Sequence, residues 1–459
     1  TNKIKTQLKP GQFAIYTGID IEPPNPNDVR DGMEKPSLEI RGVDLEFEGV
    51  VRGINQLYES TAVVSSGSVK IQSSPLFSGG QKVIGDIAIQ VWLQEGNSEL
   101  SIDSPLIDLS AQDIVISQEV VPEEGKSVTS IISLNSKNTG KVCFQTQSDN
   151  APITFWLQGE NARTRIGGEF VEFKTDGTPQ IGIGERQDDT GNFVPVRAVS
   201  GAHTAYIQLD SELEIATKNV EGTILFITGS GGTLKYGSET NQTKSTLRGG
   251  FEFSDDSGKN QVYFGPGSVF NGHIIDATAS VDGTVPTFSM KESTWNVLTE
   301  LAENQDHSST VSSLKLENST VDLTREKDTS LNATYGTVTL GTLDSTKGIF
   351  RLDVDIANKL NDKIIVKDNV TGKSFLSITS AGTGNGTDSE ILVKAPVDTP
   401  EESFLLEPKE INGQKYRAID EGARIYRLAN VQNETEKDKR DWYLTPCKEG
   451  ECLPVEEEP

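Results

Sequence analysis

The sequence predicts an all-β chain that folds as a β-solenoid, in which one sheet winds on itself in stacked coils. Three observations support this class: short runs that alternate apolar and polar residues, turn-forming residues between the runs, and the lack of long helical periodicity. Alternation with a period of two buries one face of a strand and leaves the other in water. Many such segments in succession, without helices between them, favour a solenoid.

The strand-like runs can be followed in order along the chain. Residues 1–37 are predicted to be an irregular N-terminal segment, because prolines interrupt residues 23–27 and 30–36. A β-helix body is predicted over residues 38–287, with runs that recur at irregular spacing. Its clearest late series lies at residues 213–215, 223–227, 233–236, 250–253 and 262–264, and further runs follow at 314–316, 321–323, 337–340, 350–356 and 364–366.

Composition agrees with a thin, repetitive core. The hydrophobic fraction of 34% is below the usual value of about 45–50%, as alternating strands require. With about 20–25 residues per coil, the chain would hold on the order of fifteen to twenty coils. The best helical candidate, residues 294–304, is predicted to be at most a short helix or a loop.

The net charge of −26 limits the classes of partner. Nucleic-acid binding needs Lys and Arg for the phosphate backbone, so no nucleic-acid partner is predicted. Docking on anionic lipid is disfavoured for the same reason. No apolar stretch reaches the roughly 20 residues that span a bilayer, so we expect no direct membrane insertion by this segment. The acidity is interpreted first as solubility, and second as acidic ladders for cationic protein patches or Ca²⁺.

The three cysteines have different predicted roles. Cys143 lies in strand-like text and is expected to behave as a small buried hydrophobe. Cys447 and Cys452 are close in the sequence, so a local disulfide is predicted in an oxidising compartment. Zinc binding by the two cysteines is the alternative, but no His or further Cys lies nearby to complete four ligands. No metal site and no cofactor are predicted.

The C-terminal third resembles a known family. The resemblance rests on the order of its pieces, which are Phe288–Trp295, Val311–Leu323, Gly341–Ile356, Asn361–Val366, Thr371–Ile378, Tyr416–Arg417, Ala423–Leu428 and Asp441–Leu444. Together they look like the pertactin-type C-terminal part of bacterial autotransporter passengers, over residues 288–446. The resemblance implies a right-handed parallel β-helix exported through an outer-membrane barrel, with this segment as a capping, autochaperone-like end. Residues 447–459 would then be a Cys-loop and linker towards that barrel, which is not present here.

Protease chemistry is not supported by the residues, although serine proteases are a branch of this family. No G-D-S-G occurs, and the nearest sequence, residues 254–259, lacks the Gly before Asp. A triad base would have to be His203, His273 or His307, each of which is expected to be a turn or edge residue instead. No G-x-S-x-G motif occurs either.

Polysaccharide cleavage is the enzymatic alternative, because parallel β-helices can gather carboxylates on one face. The adjacent acids Asp188, Asp189, Asp255 and Asp256 are the candidates for Ca²⁺ binding or paired acid–base work. Chance pairs are expected in a chain with 68 acidic residues. The sequence therefore favours a protein without enzymatic activity.

Outward strand positions are the candidate binding residues. The predicted ladder consists of Glu212, Glu214, Lys235, Glu252, Asp322, Asp353 and Asp355, with Tyr236 and Tyr263 as flat contact residues. A basic cluster of Arg163, Arg165 and Arg197 is a second candidate, suited to sulfated or carboxylated glycans. The alternatives are that the ladder is a solvated sheet face and that the arginines neutralise local acids.

These inferences predict an adhesin passenger displayed on a bacterial cell surface. It would be exported through the periplasm and bind host extracellular-matrix protein or glycosaminoglycan through an extended face. A β-helical polysaccharide lyase or hydrolase is one alternative, and a self-associating aggregation passenger is the other.

Overall fold

In the residues that it describes, the structure, a computed structural model, contains strands, turns and one short 3-10 segment. It describes residues 2–7, 13–17, 37–41, 43–50, 52–57, 60–65, 67–74, 76–78, 81–84, 87–94, 96–122, 124–146, 153–175, 184–187, 193–196, 203–229, 231–237, 245–253, 259–276, 285–297, 308–324, 335–380, 388–411, 413–421, 424–448, 451–452 and 454. The chain divides into two compact units, Thr1–Val262 and Tyr263–Pro459.

The first unit is built from strands only, among its described residues. In chain order these are β1 (Asn2–Gln7), β2 (Phe13–Thr17), β3 (Ser37–Arg41), β4 (Val43–Val50), β5 (Arg52–Leu57), β6 (Ser60–Ser65), β7 (Val69–Ser73), β8 (Leu76–Ser78), β9 (Gln81–Ile84), β10 (Ile87–Leu93), β11 (Asn97–Ala111), β12 (Ile114–Val120), β13 (Thr129–Thr146), β14 (Ile153–Gln158), β15 (Ala162–Thr175), β16 (Gly184–Gln187), β17 (Phe193–Val196), β18 (His203–Gln208), β19 (Glu212–Glu221), β20 (Thr223–Thr228), β21 (Thr233–Tyr236) and β22 (Thr246–Phe253).

The first unit winds through three parallel ladders of strands. Ladder A contains β2, β5, β10, β12, β14, β18, β20 and β22. Ladder B contains β1, β4, β7 and the second parts of β11, β13, β15 and β19. Ladder C contains β3, β6, the first parts of β11, β13, β15 and β19, and β21. Two antiparallel hairpins, β8–β9 and β16–β17, stand outside the ladders.

Strand β23 (Gln261–Phe264) contains the division between the units, and the second unit follows it. Its strands are β24 (Val269–Asp276), β25 (Thr287–Lys291), β26 (Thr294–Val297), β27 (Ser308–Glu317), β28 (Thr320–Asp322), β29 (Thr337–Asp355), β30 (Leu360–Asn361), β31 (Lys363–Ser380), β32 (Val393–Pro396), β33 (Phe404–Leu406), β34 (Lys409–Ile411), β35 (Gln414–Tyr416), β36 (Ile419–Asp420), β37 (Ile425–Gln432) and β38 (Lys439–Pro446), with a 3-10 turn at Glu401–Ser403.

The second unit repeats the parallel arrangement. Ladder D joins β24, β26, β28, the last parts of β29 and β31, and β33. Ladder E joins the first parts of β27, β29 and β31 to β32, and ladder F joins β25 to the middle parts of β27, β29 and β31. The predicted all-β class and parallel β-helix are therefore confirmed.

The core forms because register alignment stacks like residues inside each coil. In the first unit Phe144, Phe155 and Phe173 form one aromatic cluster, with ring centroids 5.1–6.4 Å apart. In the second unit Phe270 and Phe288 pack against Trp295, whose indole donates to the carbonyl of Gly272. Parallel pairing brings same-face residues of successive coils to about 4.8 Å, which suits stacked rings.

Coil length varies more than the sequence predicted. Ile153 pairs with Thr204, and Thr204 in turn pairs with Leu225, so the first of these steps uses more than twice as much chain as the second. In the second unit the steps are closer to uniform, as Val269 pairs with Thr294 and Thr294 with Thr320. The coil length assumed from the sequence is too short for most steps, because chain is inserted between ladder strands.

One secondary-structure prediction was wrong. Residues 294–304 were expected to be at most a short helix or loop, but Thr294–Val297 forms strand β26, and residues 298–304 lie outside the described ranges. Trp295 and Val297 point inward, whereas Thr294 and Asn296 point outward. This alternation is that of a strand, and it outweighs the helical spacing of the apolar residues.

The C-terminal end of the second unit changes from parallel to antiparallel pairing. Strand β38 pairs antiparallel with β32 and with β37, and β37 pairs with β36. Trp442 of β38 is fully buried and packs edge-on against Phe404, with ring centroids 5.2 Å apart. This antiparallel layer covers the strand edge that would otherwise stay open on β32, as predicted for a cap.

The predicted segment boundaries at residues 37, 287 and 446 stay predictions. Within the first segment, β1 and β2 are paired with β4 and β5, so its described parts belong to the ladders.

Candidate binding face

A charged face lies on the outer side of ladder C in the first unit. Strands β15, β19 and β21 alternate inward apolar residues with outward charged ones. Their register places Arg163 opposite Glu212, Arg165 opposite Glu214, and Glu214 opposite Lys235. We call these five residues the ladder C face. The basic cluster and the first part of the acidic ladder, predicted as separate features, are therefore one surface.

Ion pairs connect neighbouring strands of this face. Arg165 Nε lies 3.3 Å from Glu214 Oε2, and Lys235 Nζ lies 2.8 Å from Glu212 Oε2. The side chains of Arg165 and Lys235 are about half exposed, at 50% and 45%. Such exposed pairs stabilise a fold by only about 0–1 kcal/mol, so they do not explain why the charges are here. For Arg165 the alternative interpretation, neutralisation of a nearby acid, describes the observed contact.

Arg163 differs from the other two cations. Its backbone carbonyl accepts a hydrogen bond from Gln118, but its guanidinium has no ion pair with any residue that the structure describes. The carboxylate opposite it in register, Glu212, is held by Lys235. The ladder C face thus offers one uncommitted guanidinium beside two ion pairs. Arg197, the third arginine of the predicted cluster, lies outside the described residues.

The outward position predicted for Tyr236 was wrong. Tyr236 is fully buried and shares the inner face of β21 with Leu234, whereas Lys235 points outward. Successive side chains of a strand point to opposite faces, so Lys235 and Tyr236 cannot both be on the surface. Burial raises the pKa of the Tyr236 phenol. Tyr236 is part of the core and is no ligand contact.

The predicted ladder also breaks at Glu252. Strand β22 pairs with β20, where Glu252 is opposite Ile227, so it belongs to ladder A. Its register neighbour Ile227 packs with Tyr206 and Leu225, and Trp156 adds to this cluster. Strands β21 and β22 are consecutive in the sequence but belong to ladders C and A, so they lie on different faces. Glu252 consequently does not extend the ladder C face.

The remaining candidates lie in the second unit. Tyr263 is half-buried on β23. On ladder D, Asp322 accepts a hydrogen bond from Arg351 at 3.1 Å, and Asp353 lies on the same strand face as Arg351. Asp355 accepts hydrogen bonds from the backbone and side-chain nitrogens of Asn358 at 3.0 and 2.8 Å. These three carboxylates belong to strands β28 and β29 of ladder D.

Ladder B carries a charge cluster that sequence reasoning missed. Glu172 accepts hydrogen bonds from Lys141 and Lys174, and Cys143 lies 3.6 Å from the same carboxylate. Burial raises the pKa of Glu172, but the two lysine contacts outweigh it and lower the pKa overall. Burial, with Asp108 and Glu172 alongside, raises the pKa of Cys143 to about 12.

Cys143 is buried, as predicted, and its sulfur lies beside a carboxylate. Its neighbours Val142 and Phe144 point into the core, so its sulfur is on the outer face, covered by charged side chains. No sequence signal pointed to this cluster, because its members come from different strands and meet only through register. Cys447 and Cys452 are joined by a disulfide, with Cα atoms 5.9 Å apart.

The other candidates for chemistry contribute no assembled site. Within the described residues no group of three His, Cys, Asp or Glu side chains could hold a metal ion. His203 and His273 are buried, and His307, Asp188, Asp189, Asp255 and Asp256 lie outside the described ranges. His203 Nδ1 is 2.7 Å from Thr154 Oγ1, and burial lowers its pKa to about 4. Among the described residues, no helix is long and apolar enough to cross a membrane.

Comparison with known proteins supports part of this description. Residues 311–446 match the family model for pertactin. The crystal structure of the Haemophilus influenzae Hap adhesin aligns with 90% of this chain at 12% identity and a TM-score of 0.33. The alignment covers 59% of the Hap chain, so this chain spans less than two thirds of that relative. No curated protein matches. The family match confirms the predicted resemblance over residues 311–446, which are similar to the pertactin family.

Proposed function

We propose that this chain is the passenger of a surface-displayed bacterial adhesin and binds host extracellular-matrix protein through the ladder C face. The observation that carries the proposal is the shared face of Arg163, Arg165 and Lys235 with Glu212 and Glu214. A mixed set of fixed charges at β-strand spacing can complement a mixed set on a protein. Such complementarity contributes to specificity more than to raw affinity.

A protein partner fits this face better than a glycosaminoglycan does. Two of its three cations already contact carboxylates, so a sulfated chain would have to compete with Glu212 and Glu214. The Arg163 guanidinium can still take a carboxylate in a bidentate contact, which Lys cannot reproduce. A net charge of −26 on the whole chain further opposes a polyanion.

Individual contacts of this kind are weak, so binding would rest on many copies at one cell surface. Linking several weak sites on one surface raises the overall avidity by orders of magnitude without new contacts. Export to the cell surface, implied by the pertactin-type region, would provide such display.

The test is binding of the purified chain to an array of matrix proteins and glycosaminoglycans at two salt concentrations. R163Q and R165Q should weaken binding to the recognised matrix protein about five- to thirty-fold each, as expected for one or two kcal/mol. The control is R351Q, which removes an arginine that is also ion-paired with an acid of the neighbouring strand, but on ladder D. R351Q should bind as the unmodified chain does.

Four outcomes would count against the proposal. Equal loss in R163Q and R351Q would show non-specific attraction, and preferential binding to heparin-type glycans would replace the protein partner with a glycan. Absence of binding would lead to incubation with acidic polysaccharides, where cleavage would establish the enzymatic alternative. Concentration-dependent sedimentation would instead support self-association.

A further inference from the structure

A cleft in the C-terminal region of the second unit is distinct from the ladder C face. It has a volume of about 530 Å³ and lies between the end of β31, strand β34 and the segment around β36. Clefts of roughly 300–1,000 Å³ are of the size that holds ligands. This site does not depend on the function proposed above, because none of its residues belongs to the first unit.

The cleft is lined by isoleucines and by charged residues. Ile378 and Ile419 are buried, and Ile411 is half-buried, so Ile411 is the isoleucine that a ligand can contact. The charged residues of the lining are Lys409 and three carboxylates, Glu410, Asp420 and Glu421. The Lys409 ammonium donates a hydrogen bond to the Ile378 carbonyl at 2.7 Å, so it fastens the hairpin to the end of β31. Carboxylates therefore dominate the charge that a ligand would meet.

Two carboxylates of the lining are uncommitted. Those of Glu410 and Glu421 make no hydrogen bond or ion pair with the residues that the structure describes. Both residues line the same cleft, and both carboxylates can accept hydrogen bonds.

We propose that this cleft binds a lysine or arginine side chain of a partner protein. The aliphatic stem of such a side chain would lie on Ile411, and its cationic head would reach Glu410 and Glu421. Lys and Arg regularly bury their stems on apolar surface while the head stays with polar groups. The cleft is larger than one side chain, so it also holds neighbouring backbone of an extended segment. That size favours a polypeptide over a free amine.

The experiment uses the full chain and immobilised heptapeptides of glycine and serine with one central test residue. Biolayer interferometry at low salt should give at least fivefold stronger binding to the lysine peptide than to its norleucine counterpart, which has a similar stem and no charge. The arginine peptide should exceed its citrulline counterpart similarly. Both differences should shrink as salt is raised, because exposed charges are screened.

Matched variants locate the binding. The double variant E410Q/E421Q should lose at least fivefold in affinity for the lysine peptide. The control E402Q/E434Q removes two exposed carboxylates of the same unit outside the cleft lining, and should stay within twofold of the unmodified chain. T379W should also reduce binding, because Thr379 is an exposed residue of the lining and tryptophan would fill the cleft. Circular dichroism establishes that each variant is folded.

Four results would overturn the proposal. Equal binding of the norleucine peptide would show that charge is not recognised. Equal loss in E402Q/E434Q would show general attraction to an acidic chain. Unchanged affinity in E410Q/E421Q would place the peptide elsewhere. If 1,5-diaminopentane displaced the lysine peptide with an affinity equal to that of the peptide itself, the cleft would be assigned to small amines and not to a protein side chain.

Discussion

Replacing Trp442 by alanine should destabilise the second unit through its cap. Trp442 is fully buried on β38, packs edge-on against Phe404 at 5.2 Å, and its indole nitrogen lies 3.4 Å from the carbonyl of Glu401. Strand β38 pairs with β32, so this side chain joins the antiparallel cap to the last parallel coil. Its removal opens a cavity where the two kinds of sheet meet.

The magnitude follows from burial. An indole that buries about 200 Å² at about 25 cal/mol per Å² contributes about 5 kcal/mol. Measured truncations of buried aromatic residues cost about 3–5 kcal/mol, so we expect a loss of about 4 kcal/mol in the free energy of unfolding. With an m-value of about 2 kcal/mol per M for urea, the unfolding midpoint of the second unit should fall by about 2 M.

The assay is urea unfolding followed by circular dichroism, with limited proteolysis to identify the unit that opens first. Y443A is the matched control, because Tyr443 is the next residue of the same strand and is only half-buried. W442F keeps an aromatic ring, so it should lose less than half of what W442A loses. The reasoning is refuted if Y443A costs as much as W442A, or if W442A leaves the midpoint unchanged.

Three further predictions concern the first unit. His203 is buried with its pKa lowered to about 4, below the unfolded value of about 6.5, so protonation favours the unfolded chain. The stabilisation from the neutral imidazole is complete above about pH 6.5 and is lost as the pH falls towards 4. Between pH 7.5 and 4.5 the free energy of unfolding, measured by urea titration, should therefore fall by about 2.5 kcal/mol more in the unmodified chain than in H203Q. Equal loss in H203Q would contradict this. Native Cys143 should resist N-ethylmaleimide and react in 8 M urea, as measured by mass spectrometry, because it is buried and its pKa is raised to about 12; rapid native labelling would refute the placement. G159A should cost more than about 3 kcal/mol, since Gly159 has φ +106° and an added Cβ would lie 1.8 Å from the carbonyl oxygen of Val120. The control G125A, at φ +78° with open space around it, should cost only about 1–2 kcal/mol, and similar costs for the two would argue against the close approach.

Alternation in the sequence was sufficient to predict the class of fold and most side-chain faces. Leu213 and Ile215 point inward while Glu212 and Glu214 point outward, as a period of two requires. The same pattern placed Tyr236 inside with Leu234, so its selection as a surface residue ignored information that the sequence contained. The error came from reasoning by residue type, since tyrosine is common at interfaces, instead of by position in the strand.

Neighbours across coils could not be predicted, because coil length is not constant. Glu214 is the register neighbour of both Arg165 and Lys235, yet the chain from Arg165 to Glu214 is more than twice as long as the chain from Glu214 to Lys235. A single assumed period would misalign at least one of these pairs, and a shift of one residue reverses every face. The cluster around Cys143 and the separation of Glu252 from ladder C were missed for the same reason.

Variable coil length also explains how a binding face can form on such a fold. Hydrogen-bond register between strands decides which side chains meet, and the chain between the strands leaves the ladder without disturbing it. The ion pair of Arg165 with Glu214 is intact although the antiparallel hairpin β16–β17 stands between their strands in the sequence. Loops tolerate such insertions at small energetic cost. The ladders can therefore hold a fixed pattern of charges while the connections change, so the charge pattern of ladder C is set by a few outward residues of paired strands and not by the connecting loops.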